Sequence, residues 1–179
     1  MELSKSDVIE TKPISMVILI VGEFIFGLGD SLLIAAGVGN TPWTVLAEGI
    51  ADTAEVWTIG EATFLVSIAV MFLWIPIKET PGIGTILNII IIALTIHVMV
   101  PILPQSENFL VSILMASSGI VLVGIGSTMY LTANLGPGPR DGWMTGLQRA
   151  TGVPIGRVRI TIEASVLVIG IVLGGTFGI

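Results

Sequence analysis

NLGPGPRDGWMTG, residues 134–146, interrupts an apolar chain with four glycines, two prolines and the adjacent charges Arg140 and Asp141. Long apolar segments flank it on both sides. Of 179 residues, 53% are hydrophobic and only 11% charged, and the mean hydropathy is +1.00. A soluble domain carries about 25% charged residues. The composition is therefore that of a small membrane protein, and its first partner is the lipid bilayer. The net charge of −6 belongs to loops and offers no nucleic-acid surface. The absence of cysteine excludes disulfides and thiolate metal sites. One histidine, His97, is too few for a histidine-based metal site. No Ser-His-Asp arrangement, metal cluster or cofactor box is displayed, so the sequence points away from an enzyme and implies no cofactor.

A spanning helix needs about 20 mostly apolar residues. Five segments qualify, at roughly 14–37, 59–77, 83–103, 109–135 and 155–178. Two further stretches, 42–56 and 139–153, are mixed in polarity and each opens with a proline, which suits a helix start. They are expected to be short amphipathic helices, at the interface or dipping into the protein. The expected fold is thus an all-α membrane protein with five transmembrane helices and two short amphipathic or re-entrant ones. Residues 1–13 read as a soluble tail without a signal peptide.

Lys5, Lys12, Lys78, Arg140, Arg149, Arg157 and Arg159 all fall on one side if the N-terminus is cytoplasmic. The connections 38–58 and 104–108 carry neither lysine nor arginine and then lie outside.

The loop occurs twice. Sliding the sequence by 97 residues places Gly27 and Gly29 on Gly124 and Gly126, Gly39 on Gly136, Pro42 on Pro139 and Gly49 on Gly146. One gap near residue 57 changes the offset to 96, and Gly60 then pairs with Gly156 and Gly82 with Gly178. Six glycines pair in this way, where composition alone gives about one. VGNTPWTVLAEG and LGPGPRDGWMTG are copies of one element, separated by an odd number of spans. Such copies have opposite orientation, as in many secondary transporters. Repeat 1 is 14–104, with three spans. Repeat 2 is 109–179, with two, because the sequence stops at TFGI where copy 1 runs through TPGIG into its third span. The expectation is a truncated chain or a shortened gene.

The stretch from YLTANLGPGPRDGWMTGLQRATG through GRVRITIEASVLVIGIVLGGTFGI closely resembles the signature of the YczE-like bacterial membrane proteins, relatives of the YitT group. GLGDSLLIAAGVGNTPWTVLAEGIA is similar to that family's other recurring block. The resemblance covers most of residues 24–179 and implies a multi-pass bacterial inner-membrane protein with no assigned activity.

Gly136-Pro137-Gly138-Pro139-Arg140-Asp141 lacks the Gly-Lys-Ser/Thr of a phosphate-binding P-loop. One reading is a tight turn held by an Arg140–Asp141 ion pair. The other is an anion-binding element, with Arg140 beside the positive N-terminus of a short helix and with Pro42 and Trp43 as its copy-1 equivalents. Glu23 and Glu163 lie near the middle of spans, where ionisable groups are costly and often functional. They are candidates for ion coupling, with Asp30 and His97 as further members; fastening helices together is the alternative role. Asn88 and Asn134 read as polar anchors, and Gly170 and Gly174 as a small-residue packing pair. Trp43, Trp57, Trp74 and Trp143 suit an interfacial aromatic belt. The leading function is transport or export of a small molecule by two inverted halves, with a homodimer as the natural assembly. The alternative is a scaffold or accessory protein that assists another membrane complex. Mid-membrane carboxylates separate the two, since a scaffold does not need them.

Overall fold

The computed structural model describes residues 13–105 and 108–178, and all regular structure among them is helical. In chain order the helices are α1 (Pro13–Ala36), α2 (Pro42–Ala54), α3 (Ile59–Phe72), α4 (Ile83–Met99), α5 (Phe109–Thr132), α6 (Pro139–Thr151) and α7 (Ile155–Val172). The N-terminal tail with Lys5 and Lys12 lies outside the described residues, apart from Pro13.

Helix starts follow local chemistry. Thr41 caps α2 by accepting from the Thr44 amide, and Pro42 occupies the first turn, where no amide hydrogen is needed. Thr58 and Glu61 form a reciprocal capping box on α3. Asn108 accepts from the Leu110 and Val111 amides to open α5. The left-handed backbone at Glu55 and Gly152 ends α2 and α6 at equivalent places.

Two helices, α1 and α5, are by themselves long and apolar enough to cross a membrane. α2 and α3 qualify only together, and they bend by 114° at their junction. α4 is apolar but has 17 residues. Three elements are shorter than their expected spans. α3 has 14 residues, a rise of about 21 Å against a hydrocarbon core of about 30 Å. It gives way to successive turns before Pro76. α4 stops at Met99, two residues before Pro101. α7 stops before Gly174, whose φ of +99° cannot continue a helix. It also carries Arg157, Arg159 and Glu163.

α1 packs along α5 and against α4; α3 packs on α4; α2 packs on α7 and on α3; α6 packs on α3 and α7. The central apolar cluster comes from all four of α2, α3, α6 and α7: Trp43, Val66, Val70, Met144, Val158, Ile162 and Val166. Apolar side chains such as Ile120, Ile160, Val168 and Val172 are exposed on the outside, as a lipid-facing surface requires.

Several close backbone approaches come in pairs. A Cβ on Gly22 would lie 3.0 Å from the Gly126 oxygen, and one on Gly119 would lie 2.7 Å from the Gly29 oxygen. Each glycine is 97 residues from its counterpart, and exchanging the two segments turns one contact into the other. Gly49 packs on Leu173 and Gly175, while Gly146 packs on Ile77 and Glu79. Gly82 packs on Leu135 and Gly136, while Gly178 packs on Val38 and Gly39. The same offsets, 97 and 96, relate both sets. Lipid chains are as apolar as side chains, so close packing is the main force that holds such helices together.

Three expectations about packing residues differ from the structure. Gly174 sits in a turn with open space beside it, so only Gly170 of that pair packs, against Val45 and Leu46. Asn134 is exposed at φ +55° just after α5, a left-handed position that asparagine tolerates, and anchors no neighbouring helix. Trp43 and Trp74 are buried, 5% and 2% exposed, so they belong to the interior rather than to an interfacial belt.

Gly126→Ala should destabilise the protein by about 1–3 kcal/mol, because the new methyl meets backbone atoms of Gly22 and Phe26 that cannot rotate away. Thermal unfolding in detergent measures it, with exposed Val121→Ala as the unaffected reference.

Candidate functional site

The stretch after α5 has to turn without a helix, so its carbonyls need partners from elsewhere. The Gly84 amide donates to the Leu135 carbonyl at 2.8 Å. The Thr85 hydroxyl donates to the Pro137 carbonyl at 2.8 Å. The Trp74 indole donates to the Pro139 carbonyl at 2.9 Å. Two of these donors are buried side chains, so the loop is held from the α3 and α4 side. Gly142 lies directly on the Trp74 indole, where a Cβ has no room.

This anchoring aims the N-terminus of α6 at the N-terminus of α2. Thr41, Pro42 and Trp43 from one, and Gly138, Arg140 and Asp141 from the other, line a single cavity of about 290 Å³. Phe26, Asn88, Ser127, Tyr130, Arg159 and Glu163 complete much of its wall. Helix N-termini carry partial positive charge and unpaired amides, so two of them meeting at one cavity make it receptive to an anionic group.

Arg140 and Asp141 do not form the local ion pair that adjacency allowed. Asp141 accepts a hydrogen bond from the Tyr130 hydroxyl. The Arg140 guanidinium lies over the Trp43 ring, 5.0 Å from its centroid, a cation–π contact that joins the two short helices. Buried Asp30 and half-buried Asp141 supply the negative charge around it. The ion pairs among the described residues are elsewhere: Arg149 with Glu79 at 2.6 Å, and Arg159 with Glu163 at 2.9 Å.

The other expected site residues divide by position. Glu163 lines the cavity, one helical turn from Arg159. Glu23 is fully buried and faces Asn88, which lines the cavity; neither Glu23 carboxyl oxygen has a hydrogen-bond partner. Asp30 is also buried, behind Arg140, with its Oδ1 unpartnered. Gly136 lies against Thr85 and Gly82 rather than at the cavity. His97 is apart from all of these, 2.9 Å from the Thr58 hydroxyl near the start of α3. Tyr130, Ser127 and Arg159 line the cavity without having been singled out by sequence. A signal existed for Tyr130, the chain's one tyrosine, set in an apolar segment.

A cavity that gathers charged and polar side chains inside an all-helical fold with an apolar outer surface marks an α-helical membrane protein. Residues 13–179 match a family of unknown function, DUF6198, and the chain belongs to it. It is 43% identical over 162 residues to an uncharacterized protein of Haemophilus influenzae, covering 90% of this chain and 74% of that one. It is 32% identical to the uncharacterized membrane protein YczE of Bacillus subtilis, covering 88% of this chain and 74% of the relative. The resemblance to YczE-like proteins read from the residues is thus borne out. No solved structure matches.

Trp74→Phe removes the indole N–H that donates to the buried Pro139 carbonyl, together with the part of the ring on which Gly142 packs. The expected cost is about 1–3 kcal/mol. Proteolysis at the 134–139 loop should accelerate in parallel, and mass spectrometry of the fragments reports it.

Proposed function

We propose that the protein is a small-molecule transporter of the bacterial inner membrane, built from inverted repeats at 14–104 and 109–179 with five crossings and a cytoplasmic N-terminus. The observation that carries this is the meeting of the α2 and α6 N-termini at one cavity. Discontinuous helices that point their N-termini at a shared site are how many inverted-repeat transporters bind anionic groups near the bilayer midplane. The exchange-related glycine contacts support the repeat, since an internal two-fold predicts them in pairs.

On this reading Arg140, stacked on Trp43 and flanked by Gly138 and Pro139, receives the negative end of the substrate. Pro42 and Asp141 shape the same wall. Glu163, with Glu23 and Asp30 behind the wall, serves ion coupling, because buried carboxyls in a membrane are costly unless used. A homodimer is the proposed assembly.

Purified protein in liposomes should pass a subset of small anions, tested as short carboxylates, phosphate and sulfate. Arg140→Gln should reduce that flux at least tenfold while the protein still inserts. Equal flux in wild type, Arg140→Gln and empty liposomes overturns the transporter reading and leaves a scaffold role. Orientation has its own test in this cysteine-free chain. A cysteine replacing exposed Glu55 should react with an impermeant maleimide from outside, and one replacing exposed Arg149 only after permeabilisation. Labelling of both from one side removes the inverted repeat.

A further inference from the structure

Thr41 and Gly138 are counterparts under the 97-residue offset, and each is the N-cap of its short helix. Their backbones match, with φ −67° and ψ 153° at Thr41 and φ −59° and ψ 157° at Gly138. Any residue adopts that conformation, so the backbone does not demand glycine at 138. Yet Thr41 accepts from the Thr44 amide, whereas no side chain caps α6. The first-turn amides of α6 are thereby left without a side-chain acceptor. Glycine also keeps space open. A Cβ on Gly138 would lie 3.0 Å from Asn88 Oδ1 and 3.3 Å from Asp141 Oδ2.

The hydrogen-bonding capacity around this space is one-sided. Carboxylates of the cavity wall already have donors: Asp141 accepts from Tyr130, and Glu163 from Arg159. The donors of the same wall lack acceptors. Asn88 Nδ2 and Trp43 Nε1 have no partner, although both residues are more than nine-tenths buried. The Arg140 guanidinium stacks on Trp43 and forms no ion pair among the described residues. Its charge is nevertheless offset by Asp30 and Asp141, which face it. A bare negative charge therefore gains little here. A group with several acceptor oxygens gains more, because it satisfies donors that nothing else satisfies.

We propose that the cavity holds an oxyanion of the carboxylate, phosphate or sulfate class at the N-terminus of α6, with the uncapped amides, Arg140, Asn88 and Trp43 as its donors. The proposal deepens the anion site described above and rests on that reading. It makes Asn88 a ligand-binding residue, and it makes α6 rather than α2 the helix that receives the ligand. One ligand oxygen takes the place that the Thr41 hydroxyl fills on α2.

The full chain, purified in detergent, is titrated with acetate, succinate, phosphate, sulfate and chloride, and thermal unfolding reports binding. At least one oxyanion should raise the Tm saturably, and chloride at equal ionic strength should not. Asn88→Leu and Trp43→Phe should each weaken that oxyanion roughly tenfold or more, the loss of one hydrogen bond to a charged group. Trp43→Phe keeps an aromatic face for Arg140, so its effect reads the indole N–H. Gly138→Ser supplies the missing hydroxyl cap; it should raise the Tm without ligand and weaken the oxyanion by a similar factor. If the serine prevents folding, the other two variants carry the test. No saturable response to any of these oxyanions, an equal response to chloride, or wild-type affinity in the folded variants overturns the proposal. Saturable binding without liposome flux removes the transporter reading and leaves the site standing. Flux that Asn88→Leu and Trp43→Phe leave unchanged removes the site and leaves transport standing.

Discussion

The carbonyls of Leu135, Pro137 and Pro139 decide what the rest of the molecule can be. Within a bilayer an unpaired backbone carbonyl costs several kcal/mol, so a non-helical turn survives only where protein supplies donors. Here Gly84, Thr85 and Trp74 supply them, from the turn between α3 and α4 and from the first turn of α4. The two prolines remove two amides that would otherwise need acceptors of their own. The loop is therefore pinned to α4 and to the turn after α3, and α6 has one direction in which it can start. That direction puts Arg140 over Trp43 and leaves the cavity between the two short helices.

Glycine spacing made the architecture legible because glycine is needed where backbones touch. Gly22, Gly29, Gly119 and Gly126 permit α1 and α5 to approach at the backbone, and Gly49 and Gly146 do the same for the short helices. Spacing of this kind survives in sequence, so the 97-residue offset and all seven helices could be found there. Helix ends were less legible: apolarity continues through Trp74-Ile75-Pro76 and through Val100-Pro101, while the helix itself stops for backbone reasons.

Side-chain partnerships were legible least. Adjacency suggested that Arg140 would pair with Asp141, yet successive residues on a helix point in different directions. Asp141 turns to Tyr130 and Arg140 to Trp43, neither adjacent in sequence. Trp74 looked like a residue at the end of a span, suited to the membrane interface. It lies inside because the Pro139 carbonyl offers its indole a buried acceptor. His97, set among apolar residues, suggested either a helix–helix hydrogen bond or a relay member; its partner is the Thr58 hydroxyl at the start of α3, away from the cavity.

Trp43 and Arg140 are themselves counterparts under the 97-residue offset, and they touch. In a two-fold arrangement, a residue meets its own equivalent only close to the axis. The proposed repeat thus has its axis at the cavity, and the chemistry there is divided between unlike halves. Glu23 and Asp30 belong to the first half, where the second has Ile120 and Ser127; Arg140 belongs to the second, where the first has Trp43. Two identical halves would set like charges against each other at the axis, with nothing to offset their repulsion in a low-dielectric interior. Substituting an aromatic ring for one arginine removes that conflict and gives the remaining guanidinium a face to stack on. The backbone can then stay symmetric, which serves packing, while the side chains at its centre diverge, which is what a site for an asymmetric ligand needs.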